Sequence, residues 1–172
     1  MSTVDQAVLP AGTWKVDLSE SHLGFMARGV WGLVPVKGKF EQFEGELTID
    51  GDGARGELSI VADSLNTKNK QRDKHLRSAD FFEVDKYPTV KFTLTGVSAG
   101  DGDEAQATGV LTVKDKSVTV TLPLHVHGHD DHLHLATELQ VERDAAGLGW
   151  SKGGAIKGPA HLSADVLLVR QG

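Results

Sequence analysis

The sequence predicts an all-β protein whose antiparallel strands form a closed barrel or a two-sheet sandwich. From Trp14 onward, residues of high strand propensity recur in runs whose apolar and polar side chains alternate. Turn sequences rich in Gly and Asp separate these runs at hairpin spacing. The runs amount to roughly nine or ten strands, interrupted by one segment, near residues 66–82, that lacks the alternation. Short strands with one helical insertion are typical of an up-and-down barrel or a sandwich.

The alternation also predicts which side chains face the interior, because successive side chains of a strand point to opposite sides of the sheet. The clearest hairpin turns at Gly51-Asp52-Gly53, and a second turns at Lys114-Asp115-Lys116. In chain order, the inward positions include Trp14 and Val16; Leu23, Phe25 and Ala27; Val34, Val36, Gly38 and Phe40; Phe43, Gly45, Leu47 and Ile49; Leu58, Ile60 and Ala62; Val90, Phe92 and Leu94; Leu111 and Val113; Val118, Val120, Leu122, Leu124 and Val126; and Leu133, Leu135, Thr137, Leu139 and Val141.

Small and large residues are mixed on this inward face. Gly38, Gly45 and Ala62 are interleaved with phenylalanines such as Phe40 and Phe92. In a barrel, such alternation either fills the interior completely or leaves a long narrow tunnel. The residues alone leave both alternatives open.

The segment near residues 66–82 predicts a short helical insertion. Asn66 and Thr67 are favoured N-cap residues. The run from Lys68 to Arg77 contains no Gly, no Pro and no β-branched residue, which suits two to three helical turns. Tyr87-Pro88 ends any helix before the next strand.

This insertion also has the composition of a lid. Arg72, His75 and Leu76 fall at i, i+3 and i+4 and therefore share one helical face. Phe81 and Phe82 follow directly. Two adjacent aromatic side chains beside a charged helix indicate a cap over an apolar space.

Length and composition narrow the classes of protein. The 172 residues, 39% of them hydrophobic, suit one domain, which we assign to residues 12–170 with a short N-terminal extension at 1–11. The net charge of −6 argues against a nucleic-acid partner, which requires a basic surface. The absence of cysteine excludes disulfides, thiolate metal sites and cysteine nucleophiles.

The sequence shows no pattern typical of a signal peptide or a transmembrane segment. The first ten residues lack the basic and apolar regions of a signal peptide, and no run approaches the length of a transmembrane segment. We therefore expect a cytoplasmic protein without a transmembrane segment. A homodimer stays open as a form of assembly.

Five of the eight histidines lie between His125 and His134, which raises the alternative of a metal-binding hairpin. The alternation places them on the outer face, exposed and across from one another on two strands. We therefore expect no physiological metal site, and keep as the alternative a metal-binding module with these ligands: His125, His127, His132 and His134.

Two common hydrolase motifs are absent from the sequence. The sequence contains neither Gly-x-Ser-x-Gly nor His-Glu-x-x-His. Arg72, Asp73 and His75 lie close together in sequence, but a helix that caps a barrel needs such residues for ion pairs and hydrogen bonds to loops. We expect a structural role for this cluster, with contact to the polar end of a ligand as the second choice, and we expect no enzyme.

The insertion carries a family resemblance. Ser64-x-x-Thr67, the run Arg72-Asp73-x-His75-Leu76-Arg77-Ser78-x-Asp80-Phe81-Phe82 and Lys86-Tyr87-Pro88 resemble the signature of the YceI family of polyisoprenoid-binding proteins. The similarity extends upstream to Trp14-x-Val16-Asp17 and downstream through Gly109-x-Leu111-Thr112, covering residues from about Gly12 to Val169.

This resemblance implies a lipocalin-like antiparallel β-barrel of about eight main strands. It also implies a long prenyl chain, often that of a quinone, held in a tunnel inside the barrel. The expected function is a non-catalytic carrier of such a lipid, with no cofactor other than the bound polyisoprenoid or quinone. The expected ligand-binding residues are Trp14, Phe25, Phe40, Phe43, Gly45, Ala62, Arg72, His75, Leu76, Phe82, Phe92 and Leu94.

Overall fold

Eleven antiparallel strands form one sheet in the part of the chain that the structure describes. The structure is a computed structural model, and it describes residues 11–29, 34–51, 53–79, 81–99, 104–141 and 157–171. The strands are β1 (Gly12–Val16), β2 (His22–Gly29), β3 (Val34–Phe40), β4 (Phe43–Asp50), β5 (Gly53–Val61), β6 (Leu65–Asn66), β7 (Thr89–Ala99), β8 (Glu104–Val113), β9 (Lys116–His129), β10 (His132–Val141) and β11 (Lys157–Gln171).

The sheet closes into a barrel because its first strand pairs with its last. Eight strands complete the ring in the order β1-β4-β5-β7-β8-β9-β10-β11, and β1 returns to β11 in register from Thr13↔Gln171 to Val16↔Leu168. The remaining strands, β2, β3 and β6, extend the wall beyond β11. The prediction of a closed antiparallel barrel of about eight main strands is confirmed.

β1 and β2 behave as one long strand with a kink. Both pair with the same edge of β11, β1 at its C-terminal end and β2 at its N-terminal end. A single 3₁₀ turn, Leu18–Glu20, separates them. Ser21 fixes the kink, because its hydroxyl donates to the Asp17 carbonyl at 2.6 Å and accepts from the Leu167 amide at 2.9 Å. The kink lets the wall continue past the ring.

Tight turns set the register of two hairpins. Val113↔Lys116 and His129↔His132 are the last pairs before two-residue loops. The first loop residue is left-handed in both, with φ of 57° at Lys114 and 54° at Asp130. Positive φ at this position matches the twist of the flanking strands. The predicted turn at residues 114–116 is therefore present.

Two groups of buried side chains fill the ends of the barrel. The first surrounds Trp14, which is completely buried and lies under the Arg170 guanidinium. The second surrounds Phe40 and Phe43 and also contains Leu111 and Val166. We call them the Trp14 cluster and the Phe40 cluster. Partly buried residues that pack on both clusters join them through the barrel interior.

The inward parity expected from the sequence agrees with burial at most positions. On β9, Val120, Leu122, Leu124 and Val126 are buried between exposed neighbours. The side chains of Ala27, Val34 and Val36 lie outside the described residues. Burial with a period of two follows from the pleat, which sends alternate side chains to the two faces.

The helical insertion is shorter than its sequence predicts. The helix α1 spans Lys70–Leu76 and is capped by Asn69, whose side chain accepts from the Arg72 amide at 3.0 Å. The expectation that Asn66 or Thr67 caps a helix beginning at Lys68 is therefore wrong. The reason is local, because Lys68 has a left-handed φ of 63° and cannot continue a helix.

Thr67 and Asp73 tie α1 to the barrel. Asp73 is almost fully buried, and its carboxylate accepts from the Thr67 amide at 2.9 Å and from the Thr67 hydroxyl at 2.5 Å. The Arg72 side chain donates to the same hydroxyl and to the Thr67 carbonyl, each at 2.8 Å. A buried carboxylate needs such hydrogen bonds to offset its loss of hydration.

None of the described helices combines the length and hydrophobicity required to cross a membrane.

Two glycines make room for aromatic rings on the inner face. A Cβ at Gly38 would lie 2.4 Å from Phe25, and a Cβ at Gly109 would lie 2.5 Å from both Phe92 and the Thr93 carbonyl oxygen. Each ring covers the backbone of a glycine on the neighbouring strand, which has no side chain of its own to shield it. The ring occupies the space that a side chain at each glycine would need.

We predict that Gly109→Ala lowers the free energy of unfolding by about 1–3 kcal/mol, because the added methyl group has no space between Phe92 and the backbone. Urea denaturation at constant m-value measures the change. Gly96→Ala is the matched control, since nothing lies within 4 Å of its Cβ position, and it should change stability by less than about 0.5 kcal/mol. Equal losses in the two variants would contradict the packing described for Phe92.

Candidate functional site

An apolar cavity lies inside the barrel between the Trp14 and Phe40 clusters. Its volume is about 200 Å³. Every strand of the closed ring contributes to its wall, and β2 and β3 continue it. It contacts members of both clusters, including Leu47 of the first and Phe40 of the second. The cavity is therefore the part of the interior that neither cluster fills.

The wall is aliphatic and aromatic. The polar residues that line it are Glu46, Glu57, Thr137 and Ser163. Glu57 faces outward, where its carboxylate lies 3.4 Å from the Lys91 ammonium group, and Glu46 and Ser163 are exposed. The Thr137 hydroxyl donates to the Pro123 carbonyl oxygen. The cavity therefore suits an apolar ligand far better than a charged one.

Small residues in the wall give the cavity its width. At Gly45, a Cβ would lie 3.0 Å from both Leu58 and Val16, so the absence of a side chain there enlarges the cavity. Gly56, Ala107 and Ala164 line the cavity as well. The sequence-based site omits these three residues. Each of them has the same parity as the inward residues of its own strand, β5, β8 or β11, and this shared parity is the signal that would have found them.

The structure divides the predicted ligand-binding residues into three sets, with Phe25 outside them. Phe40, Gly45, Phe92 and Leu94 line the cavity. Trp14, Phe43 and Ala62 are buried in the two clusters and are not among the lining residues of the described chain. Phe25 packs beside the cavity, with its ring centroid 5.2 Å from that of Phe40.

The third set belongs to the lid, by which we mean α1 and the described turns that follow it, residues 70–79 and 81–87. Leu76 and Phe82 pack against the Phe40 cluster, and the ring of Phe82 meets Phe40 edge-on at 5.8 Å. Because Phe40 lines the cavity, the lid lies one side chain away from the cavity.

The polar residues of the lid have structural partners. Arg72 donates to Thr67, as described above. The His75 ring packs edge-on against Phe81 at 5.2 Å, and its carbonyl accepts from the Ser78 hydroxyl. These contacts agree with the structural role that the sequence favours for this cluster. Neither Arg72 nor His75 lines the cavity among the described residues.

The histidines of the β9–β10 hairpin lie outside the barrel. His127 is opposite His134, and His129 is opposite His132. His125, His127, His129 and His132 are exposed, and the partly buried His134 contacts the Asp165 carboxylate. Across the described part of the chain, no group of three or more His, Cys, Asp or Glu side chains is arranged to hold a metal ion.

Curated relatives of this chain come from several bacteria. A UPF0312 protein from Photorhabdus laumondii is 36% identical over 108 residues, which cover 60% of this chain and 55% of the relative. Protein YceI from Escherichia coli O157:H7 is 39% identical over 101 residues, covering 57% of this chain and 48% of the relative. The chain thus spans about half the length of the curated relatives that it matches.

Solved structures share the fold at low sequence identity. BcnA from Burkholderia cenocepacia superposes with a TM-score of 0.81 at 22% identity, covering 88% of this chain and 98% of that chain. A polyisoprenoid binding domain from Saccharophagus degradans gives a TM-score of 0.77 at 16% identity, covering 92% and 98%. These similarities establish the barrel architecture.

A family comparison covers nearly the whole described barrel. Residues 14–168 match the YceI-like domain, from the strand of Trp14 at one end of the ring to β11 at its closure. The chain therefore belongs to the YceI-like domain family.

Proposed function

We propose that this protein binds and carries a long-chain apolar lipid, a polyisoprenoid or an isoprenoid quinone, in the cavity of its barrel. The observation that carries the proposal is an aliphatic and aromatic cavity inside a closed barrel. The polyisoprenoid binding domain from Saccharophagus degradans, which has the same architecture, supports the choice of ligand.

The gain from binding comes from removing the chain of the ligand from water. Each buried CH₂ contributes about 0.8 kcal/mol. A prenyl chain offers many such groups and needs no hydrogen-bond partners along its length, which suits a wall whose inward side chains are apolar. Affinity on this account depends on the length of the chain and on exclusion of water.

The chemistry of the wall supports binding without catalysis. Of its two acidic residues, Glu57 pairs with Lys91 outside the barrel and Glu46 is exposed. General acid–base catalysis needs a titratable group within hydrogen-bond reach of the reacting atoms. We therefore propose a carrier rather than an enzyme.

We predict that organic extraction of the native protein, followed by mass spectrometry, yields a prenyl lipid in near-stoichiometric amount. Returning the lipid to the delipidated protein should raise the melting temperature, because a ligand at 100 times its Kd adds about 2.7 kcal/mol to the free energy of unfolding. A native protein free of prenyl and acyl lipids, together with an unchanged melting temperature after addition of polyprenol, would disprove the proposal.

The location of the lipid chain is tested by the same substitution, alanine to phenylalanine, at two buried positions. Both alanines are buried, Ala107 in the Trp14 cluster and Ala62 in the Phe40 cluster, but Ala107 also lines the cavity. We predict that Ala107→Phe abolishes lipid loading and costs less stability than Ala62→Phe, because the cavity accepts part of the added volume. Ala62→Phe should cost about 1–3 kcal/mol, because its surroundings are already filled.

Thermal unfolding and lipid content are measured on both variants. The Ala62 variant reports the cost of the same ring in packed surroundings. If Ala107→Phe still carries a full complement of lipid, the chain does not occupy this cavity, and the proposed binding site is incorrect.

A further inference from the structure

The barrel wall has a seam between β9 and β10. Register between these strands runs from His129↔His132 to His125↔Ala136 and stops there. β9 continues to Lys116 on one side of the seam and β10 to Val141 on the other, and both remain paired with their outer neighbours, β8 and β11. The ladder between β9 and β10 therefore covers only one end of the two strands.

Pro123 lies where the ladder ends. Proline has no backbone N–H to donate to a neighbouring strand. Its carbonyl oxygen accepts instead from the Thr137 hydroxyl, so a side chain replaces the next backbone contact across the two strands. Pro123 on β9 and Thr137 on β10 are thus the sequence positions at which a side-chain contact replaces backbone pairing between the two strands.

The cavity extends to the inner side of this seam. Leu122 and Leu124 of β9 and Leu139 of β10 line it, together with Thr137. All three leucine side chains are apolar and face inward by parity. A chain that passed between the strands would therefore enter the cavity directly.

A groove of about 670 Å³ lies on the outer side of the same seam. Pro123 borders it on β9, and Glu138 and Gln140 border it on β10. It shares four residues with the cavity: Gly24 of β2, Leu139 of β10, and Leu162 and Ser163 of β11. The two spaces are therefore separated by no more than the thickness of the wall at these residues.

The groove is more polar than the cavity, although Phe25, Met26 and Leu162 also line it. Lys37, His161, Ser163 and Gln140 contribute side chains that can donate hydrogen bonds. Glu138 is the acidic residue among them. A lipid with a long apolar tail and a polar end requires both environments within its own length.

We propose that the seam between β9 and β10 is the mouth of the barrel, and that the groove outside it holds the polar end of the lipid through acceptor oxygens. This inference rests on the proposed function, because it assigns the two ends of the same ligand. A quinone carbonyl and a prenyl phosphate both present such oxygens, and both suit the donors of the groove.

The entry route is tested with a thiol label, which the chain permits because it contains no cysteine. Gln140→Cys is purified without lipid and compared before and after reaction with a bulky maleimide. Uptake of long-tailed ubiquinone from detergent micelles should slow about tenfold or more after labelling, because the label obstructs the mouth. Glu44→Cys, on the exposed face of β4, is the control and should load equally fast in both forms.

The outcomes separate this inference from the proposed function. Wild-type protein that takes up no prenyl lipid would overturn both. Wild-type loading together with unaltered uptake by labelled Gln140→Cys would overturn the mouth and leave the carrier function intact. Slower uptake by labelled Gln140→Cys but not by labelled Glu44→Cys supports entry of the lipid through the seam.

The head-group part is tested by Lys37→Gln, measured with long-tailed ubiquinone and with a polyprenyl phosphate of similar length. Loss of the ammonium group should weaken binding of one or both lipids about tenfold. Weakening confined to the phosphate identifies an anionic head, and weakening of both identifies a shared oxygen contact. Unchanged affinity for both lipids in Lys37→Gln and in His161→Gln would contradict a head group in the groove.

Discussion

Closure of the sheet between β1 and β11 is the constraint on which the rest of the structure depends. It pairs the edges of an eight-stranded ring and separates an inner face from an outer one. An eight-stranded barrel encloses an interior only wide enough for side chains or one small ligand. Whether space remains is then decided by the size of the inward residues. Gly45, Gly56 and Ala107 make the difference here.

The two ends of the barrel are filled in different ways. At one end, Trp14 is fully buried among aliphatic side chains from β4, β8, β9 and β10. At the other end, phenylalanines pack against the lid, which the Asp73 carboxylate fixes through Thr67. The cavity lies between two packed regions, so neither end has to open for the seam to admit a ligand. This arrangement is compatible with the exchangeable ligand that we propose.

Much of this fold could be predicted from the sequence because strand alternation has a strict period of two. Parity placed Leu122 and Leu124 inside and the histidines of β9 outside, as the structure has them. The start of α1 could not be predicted in the same way. Lysine is a good helix former, yet Lys68 adopts a left-handed φ of 63° directly after Thr67, whose amide and hydroxyl donate to the buried Asp73 carboxylate. Propensity does not reveal this conformation.

The site was predictable in chemistry but not in position. Parity identifies inward residues, yet it contains no information on depth along the barrel axis. Ala62 and Ala107 are both inward alanines, and only the three-dimensional packing distinguishes the filled surroundings of one from the cavity beside the other. The seam is likewise invisible in the alternation, because β9 and β10 keep their period of two where their pairing has ended.

Isotope-filtered nuclear Overhauser measurements on protein with labelled methyl groups, loaded with unlabelled polyprenol, test whether an isoprenoid chain lies inside this barrel. We predict contacts from the prenyl methyl groups to the inward residues Leu58, Leu111 and Leu122. Contacts restricted to Leu18 and Val61, the large apolar residues exposed on the described surface, would contradict it.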